Sequence, residues 1–476
     1  MNPDTLAYLT LSELGARIHS GELSPVALVE ALLERIRRLD GALHSFIALT
    51  PERALAEARA AEAALKAGRD LGPLHGIPYA AKDLYDVKGL PTTAGTRLLS
   101  NNIAREDCAV VRRLAQAGMV LLGKTYTVQF AFGGVGINHD QGTPHNPWSQ
   151  VPHAPGGSSS GTGVAVASGL VPMALGSDTG GSVRIPAALN GIVGLKTTVG
   201  RISRAGVYPL SWTLDSVGPL TRSVEDAALV YSALCGPDAA DETTLGIPPH
   251  DVLRGLKDGA KHMRVAFCET MLFDEADPEV EKAVREAGKV FSRLGAQVFS
   301  LEVPEIKEIY GLKRRDLMIA AEALAVNGHL VEQNFDQLDP VVAHRMRPGK
   351  EMSATDYFTL LRDWQRLRAS VSHTLRDVDV LLAPTCRIPP KPLSEIDKNL
   401  DTYGAHNWAY LRNTAAGNNL NLCAVSLPCG FTQSGLPIGL MLYAKAFQED
   451  RALRAAWAYE QATDWHRRHP DLSWVQ

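Results

Sequence analysis

A chain of 476 residues with 45% hydrophobic and 21% charged content can bury one large core or two or three ordinary ones. A formal charge of −4 gives no electrostatic footprint for nucleic acid, and no apolar run reaches membrane-spanning length. Six cysteines without a C-x-x-C pair make no disulfide framework, so free thiols in a reducing compartment are expected. The opening M-N-P-D-T-L-A-Y-L-T has neither the basic start nor the apolar core of a signal peptide, and a cytoplasmic location is expected.

Residues 1–70 read as a helical cover. Ser24 is placed to cap a helix with Pro25 in its first turn, and V-A-L-V-E-A-L-L-E-R-I-R-R-L has helical apolar spacing. Pro51 to Lys66, rich in Ala and Glu, predicts a second helix. From Leu74 a short apolar strand leads to Lys82 and Asp83, then to a Gly/Thr-rich loop. Asp107 to Ala117 predicts an amphipathic helix and Val120 to Gly123 a strand, an alternation that suits parallel α/β architecture. The glycine, proline and aromatic residues from Phe130 to Trp148 read as pocket wall.

Beyond residue 198 a long loop enters a helix that Ser223 can cap, with Asp226 in its first turn. Residues 236–262 look like a linker, so a subregion is expected near 262, where M-R-V-A-F-C begins a strand. A helix from Asp277 to Leu294 and the strand Q-V-F-S-L follow. Residues 305–376 are mostly helical, V-D-V-L-L-A-P-T returns to strand, and 386–408 read as loop. L-C-A-V-S-L-P-C-G and L-P-I-G-L-M-L-Y predict a hairpin-like pair, and Arg451 to Arg468 a closing helix.

The stretch from Pro155 to Thr198 holds the chemistry. Its first cluster contains Ser158, Ser159 and Ser160; its second is Asp178-Thr179-Gly180-Gly181-Ser182. A tight diglycine turn lets backbone N–H groups converge with that of Ser182, as an oxyanion hole requires. A serine nucleophile also needs a base. His75, His139, His145 and His153 lie in loops, no G-x-S-x-G elbow surrounds Ser182, and the histidines lack metal-ligand spacing. No metal is expected, and the loop histidines are candidates for substrate contact. A buried lysine is the other option, because desolvation lowers its pKa; Lys82 and Lys196 both qualify. Ser158 could relay a proton. Asp178 could organise the loop or hold Arg184, and Arg184 could be structural or substrate-binding.

Taken together, G-I-P-Y-A-A-K-D, G-G-S-S-S-G and G-S-D-T-G-G-S-V-R-I-P-A resemble the amidase signature family. The resemblance extends through G-I-V-G-L-K-T-T-V-G-R-I-S, L-D-S-V-G-P-L-T-R-S-V-E-D-A and S-L-P-C-G-F-T-Q-S-G-L-P-I-G-L. It covers nearly the whole chain and is densest over a catalytic core at 74–230. It implies an α/β fold, one domain over 1–476 with a central mixed, mainly parallel sheet of about eleven strands between helices. That argues against a boundary at 262. It also implies an amidohydrolase that cleaves an amide-type carbon–nitrogen bond through a serine acyl-enzyme. Lys82 would be the base, Ser158 the relay after a cis Gly157–Ser158 peptide, and Ser182 the nucleophile. Thr179, Gly180, Gly181 and Ser182 would form the oxyanion hole, with Ser159 and Ser160 hydrogen-bonding around the lysine. No cofactor and no metal are implied. The expected partner is a small amide-type molecule, with no nucleic acid or membrane, and a homodimer is left open.

Three alternatives accompany this reading. The first is the glutaminase subunit of a tRNA-dependent amidotransferase, which usually carries N-x-D-E-F-A-M-G where this chain has Tyr126-Thr127-Val128-Gln129-Phe130-Ala131-Phe132-Gly133. The loss of the acidic pair favours a stand-alone amidase. Carbamate, urea or biuret-type hydrolysis is the second. A non-enzymatic scaffold is the third, disfavoured because all three catalytic residue types are present. Asn421-Leu422-Cys423-Ala424 departs from the family's G-x-P-A pattern. Arg314, Arg315, Trp364 and Arg366 read first as surface and core residues, with the lining of an entrance as the alternative.

Overall fold

Short apolar runs bounded by turns and capped helices become strands, and eleven of them join one sheet among the described residues, 3–475, of this computed structural model. In chain order the first six are β1 (Phe46–Leu49), β2 (Pro78–Lys82), β3 (Val120–Thr125), β4 (Met173–Asp178), β5 (Val193–Lys196) and β6 (Ser216–Thr221). The rest are β7 (Arg264–Cys268), β8 (Gln297–Leu301), β9 (Val380–Pro384), β10 (Cys423–Phe431) and β11 (Pro437–Ala444). Their order across the sheet is β1-β3-β2-β4-β6-β5-β10-β11-β9-β7-β8.

The expected single α/β domain with a mixed sheet is present, but the sheet is not mainly parallel. Four neighbouring pairs run parallel, β2 with β3 and β4 and β7 with β8 and β9, and the other six run antiparallel. Connection length accounts for part of this. The short turn Thr432–Leu436 between β10 and β11 closes only an antiparallel pair, whereas parallel neighbours need a crossover. Nor does the chain divide at 262. β7, which follows the linker-like stretch, pairs with β9, and β9 pairs with β11 in the same sheet.

Helices cover both faces. Pro25–Leu43 is capped by the Ser24 hydroxyl, which accepts from the Val26 and Ala27 amides, and Pro51–Lys66 has the bounds read from sequence. Ser223 caps the helix Val224–Leu234 as expected. Two other boundaries differ. A helix, Leu400–Asn419, starts inside the stretch read as loop because Asn399 caps it, accepting from the Thr402 amide. The closing helix stops at Gln461, and a 3-10 turn follows at Trp465–Arg467. The departure at Asn421 has a backbone reason. Its φ is +56°, the left-handed region that asparagine tolerates best after glycine. No helix among the described residues is long and apolar enough to cross a membrane.

Candidate active site

Lys82 ends β2, a strand flanked by β3 and β4 and buried along its length. Parallel pairing of Ala81 with Leu175 brings the lysine alongside the end of β4, where Ser177 lies. The ammonium nitrogen donates to Ser158 Oγ at 2.7 Å and to Ser177 Oγ at 2.9 Å. Among the described residues no carboxylate lies within ion-pairing distance of it. Burial pushes its pKa down to about 7, although the charges of Asp215 and Asp178 pull the other way. The neighbouring lysines are committed elsewhere. Lys124 is ion-paired with Asp83, and Lys196 donates to the carbonyls of Thr197 and Leu422. Of the two base candidates, only Lys82 is bonded to a serine.

Ser158 follows a cis peptide bond from Gly157. The pocket-wall loop holds this segment. Gly156 N donates to Val135 O at 3.0 Å and Gly157 N to Gly134 O at 2.8 Å. Ser158 O accepts from Val128 N at 3.1 Å and Thr127 Oγ1 at 3.0 Å. A Cβ on Gly157 would lie 2.8 Å from Gly133 O and Gly136 N, so only glycine fits there. Ser159 and Ser160 do not bond to the lysine. Ser159 Oγ donates to Ser177 O at 3.4 Å, and Ser160 Oγ is buried without a partner.

The diglycine turn is fixed from several sides. Asp178 accepts from Val183 N at 3.1 Å and receives a two-pronged bond from Arg184, Nε and Nη2 each at 3.0 Å. Arg184 is fully buried and also donates to Tyr443 OH at 3.0 Å and Asn418 Oδ1 at 2.6 Å. Burial alone would raise the Asp178 carboxyl; the charge and hydrogen bonds of Arg184, the charge of Lys196 and a hydrogen bond from Asn418 bring it to about 2. Asp178 therefore both organises the turn and holds Arg184. Thr414 Oγ1 donates to Gly180 O at 2.7 Å. Gly181 has φ +141°, and a Cβ there would meet Thr414 Oγ1 at 2.2 Å.

This framing leaves the amides of Thr179, Gly180, Gly181 and Ser182 without an acceptor among the described residues, while the Ile185 amide closes onto Gly181 O at 2.7 Å. Ser182 is 4% exposed, and its hydroxyl makes no hydrogen bond among the described residues. The lysine-to-Ser158 link is thus a hydrogen bond in this structure, and the Ser158-to-Ser182 link is not. The Thr179 hydroxyl donates to the half-buried Asp215, which also accepts from the Leu210 and Ser211 amides.

Of the loop histidines, His139 is taken up structurally. Its ring bridges Asp339, at 2.9 Å, and Asp397, also at 2.9 Å, and these partners raise its pKa to about 9. Sequence reasoning missed Ser177, Asp215, Thr414, Asn418 and Tyr443. The last three lie more than 200 residues from the turn that they brace, and nothing in their local sequence marks them.

A family model described as Amidase matches residues 27–453. The chain is 38% identical over 455 residues to a 2-amino-5-chloromuconic acid deaminase of Comamonas testosteroni, covering 95% of this chain and 96% of the relative. It is 37% identical over 490 residues to a glutamyl-tRNA(Gln) amidotransferase subunit of Gloeobacter violaceus, covering 98% of each. The X-ray structure of native peptide amidase from Stenotrophomonas maltophilia superposes with a TM-score of 0.85 at 30% identity, covering 98% of both chains. Likeness of this extent, along nearly the full length and in the folded chain alike, shows that the protein belongs to the amidase family and is an amidase-type serine hydrolase of a small-molecule amide.

Proposed function

We propose that the protein is a stand-alone amidase in which Ser182 is the nucleophile, Ser158 the proton relay and Lys82 the base. The observation that carries this reading is a fully buried lysine bonded only to hydroxyls, with its pKa near 7. A neutral amine accepts a proton; a salt-bridged ammonium cannot. Ser182 Oγ attacks the amide carbonyl while its proton passes to Ser158, whose own proton passes to Lys82. The carbonyl oxygen becomes an oxyanion against the free amides of Thr179, Gly180, Gly181 and Ser182. The protonated lysine then returns a proton through Ser158 to the departing nitrogen, and the amine leaves. Water repeats the sequence on the acyl-enzyme.

In this reading 74–230 is the catalytic core and 1–70 its cover. The mechanism needs no second chain, so a monomer and a homodimer serve equally. The net charge of −4 supports a partner set without nucleic acid, and six free thiols support a reducing cytoplasm.

A fluorophosphonate probe tests the assignment. Labelling is expected at Ser182 and should vanish in Ser182→Ala. Lys82→Ala should lower kcat by about 10²–10⁴-fold on an anilide substrate, and Ser158→Ala should also cost orders of magnitude. Full turnover by Lys82→Ala would remove the base. The amidotransferase relative favours a second reading, a glutaminase that works beside another chain. Release of ammonia from glutamine that rises when a partner protein is added would select it.

A further inference from the structure

A cavity of about 240 Å³ adjoins Ser177 and Thr179; Leu84, Ala131 and Leu210 give it an apolar side, and Arg204, Asp215 and Asp241 a charged one. Through Ser177 it borders the lysine, and through Thr179 the diglycine turn. A second cavity, of about 540 Å³, is bordered by the helices Leu317–Asn334 and Ala354–Thr374. Pro209 and Trp212 line both, so a single loop joins them.

The outer cavity presents apolar surface. Ala321, Ala325, Val326, Met352 and Phe358 line it. Its polar side chains are already satisfied by protein: Glu322 accepts from Tyr357 OH at 2.6 Å, from Thr213 N at 3.3 Å and from Ser211 Oγ, and Ser353 Oγ donates to Asp356 at 2.7 Å. Trp212 and Phe358 stand 67% and 68% exposed, two large apolar side chains facing water. The cover over the turn is apolar too. Leu411 Cδ2 lies 3.3 Å from where a Cβ on Gly180 would sit.

The joining loop is tied to the chemistry. Ser211 and Thr213 hang on Glu322, Tyr208 OH donates to Asn327 Oδ1 at 2.6 Å, and Asp215 at the loop's end holds the Thr179 hydroxyl. A molecule lying along this loop touches the segment that anchors the oxyanion turn.

We propose that the two cavities form one subsite for an extended aryl or alkyl substituent of the amide, with Trp212 and Phe358 as its outer walls. The inference rests on the amidase reading above and names the class of substrate. Burial of one methylene is worth about fourfold in kcat/KM while the tail still fits.

The test uses the purified full chain and two amide series, anilides from acetyl to decanoyl and acetamides from methyl to octyl. In one series kcat/KM should climb by about fourfold per methylene before levelling. Trp212→Ala and Phe358→Ser, made separately at exposed positions, should each lower the decanoyl-to-acetyl or octyl-to-methyl ratio about tenfold or more. Hydrolysis with a flat profile in both series overturns the inference and leaves the amidase reading standing. Unchanged ratios in both variants overturn it as well. Failure of the wild-type chain to cleave any amide overturns both.

Discussion

Lys82 is an amine with two hydroxyls for company and, among the described residues, no carboxylate within ion-pairing distance, so its protonation should govern the rate. Below pH 7 it takes a proton from solvent and the relay has no acceptor; above pH 7 the lone pair is free. kcat/KM should therefore rise about tenfold per pH unit up to about pH 7 and then level off. A profile flat from pH 5.5 to 9 would contradict the assignment. The linkage has a definite sign. Between about pH 7 and the ordinary lysine value the unfolded chain holds more protons than the folded one, so this group's contribution to stability rises with pH across that window. The three proposed catalytic residues were legible because each sits inside a long, ordered motif. Ser177 was not, although it neighbours Asp178, because its role depends on its side chain lying on the same side of the sheet as Lys82, and a run as small as G-S-D-T carries no mark of face.

Among elements, the knot of Asp178, Arg184, Asn418 and Tyr443 decides whether the turn stays aimed. Asp178→Asn leaves a guanidinium buried without its charge partner, which costs about 3–5 kcal/mol. The urea midpoint should fall accordingly, and activity should fall with it because asparagine keeps one acceptor oxygen where Asp178 uses two, so the Val183 amide and Arg184 cannot both keep their bonds. A midpoint unchanged from wild type would mean that Arg184 finds another partner. Element boundaries with their own chemistry were readable: Ser24, Ser223 and Pro51 mark helix starts, and β7, β9, β10 and β11 stand out as apolar runs. The helices Ser160–Ala167 and Arg184–Asn190, and β4 between them, were not, because each is buried on every side and built largely of small residues. Without a polar face there is no periodicity to read. Strand direction escaped for another reason, since it depends on connections and neighbours rather than on the strand's own residues.

At the scale of the molecule, the sheet is laid out so that sequence order and spatial order part company. β5, which follows the helix Arg184–Asn190, pairs with β10, more than 200 residues later, and β10 leads through β11 and β9 to β7 and β8. Every side chain proposed to make or break bonds belongs to the first half of the chain, yet Thr414, Asn418 and Tyr443, which hold the glycine bend and its arginine, come from the second. Splitting the polypeptide within 236–262 would thus give an amino-terminal fragment that owns the whole triad and still idles, with its bend unsupported and the β5 edge bare. Expressed alone it should turn over no amide, and co-expression with the carboxy-terminal fragment should restore turnover through non-covalent reassembly, making the two inert halves a reporter of their own reunion.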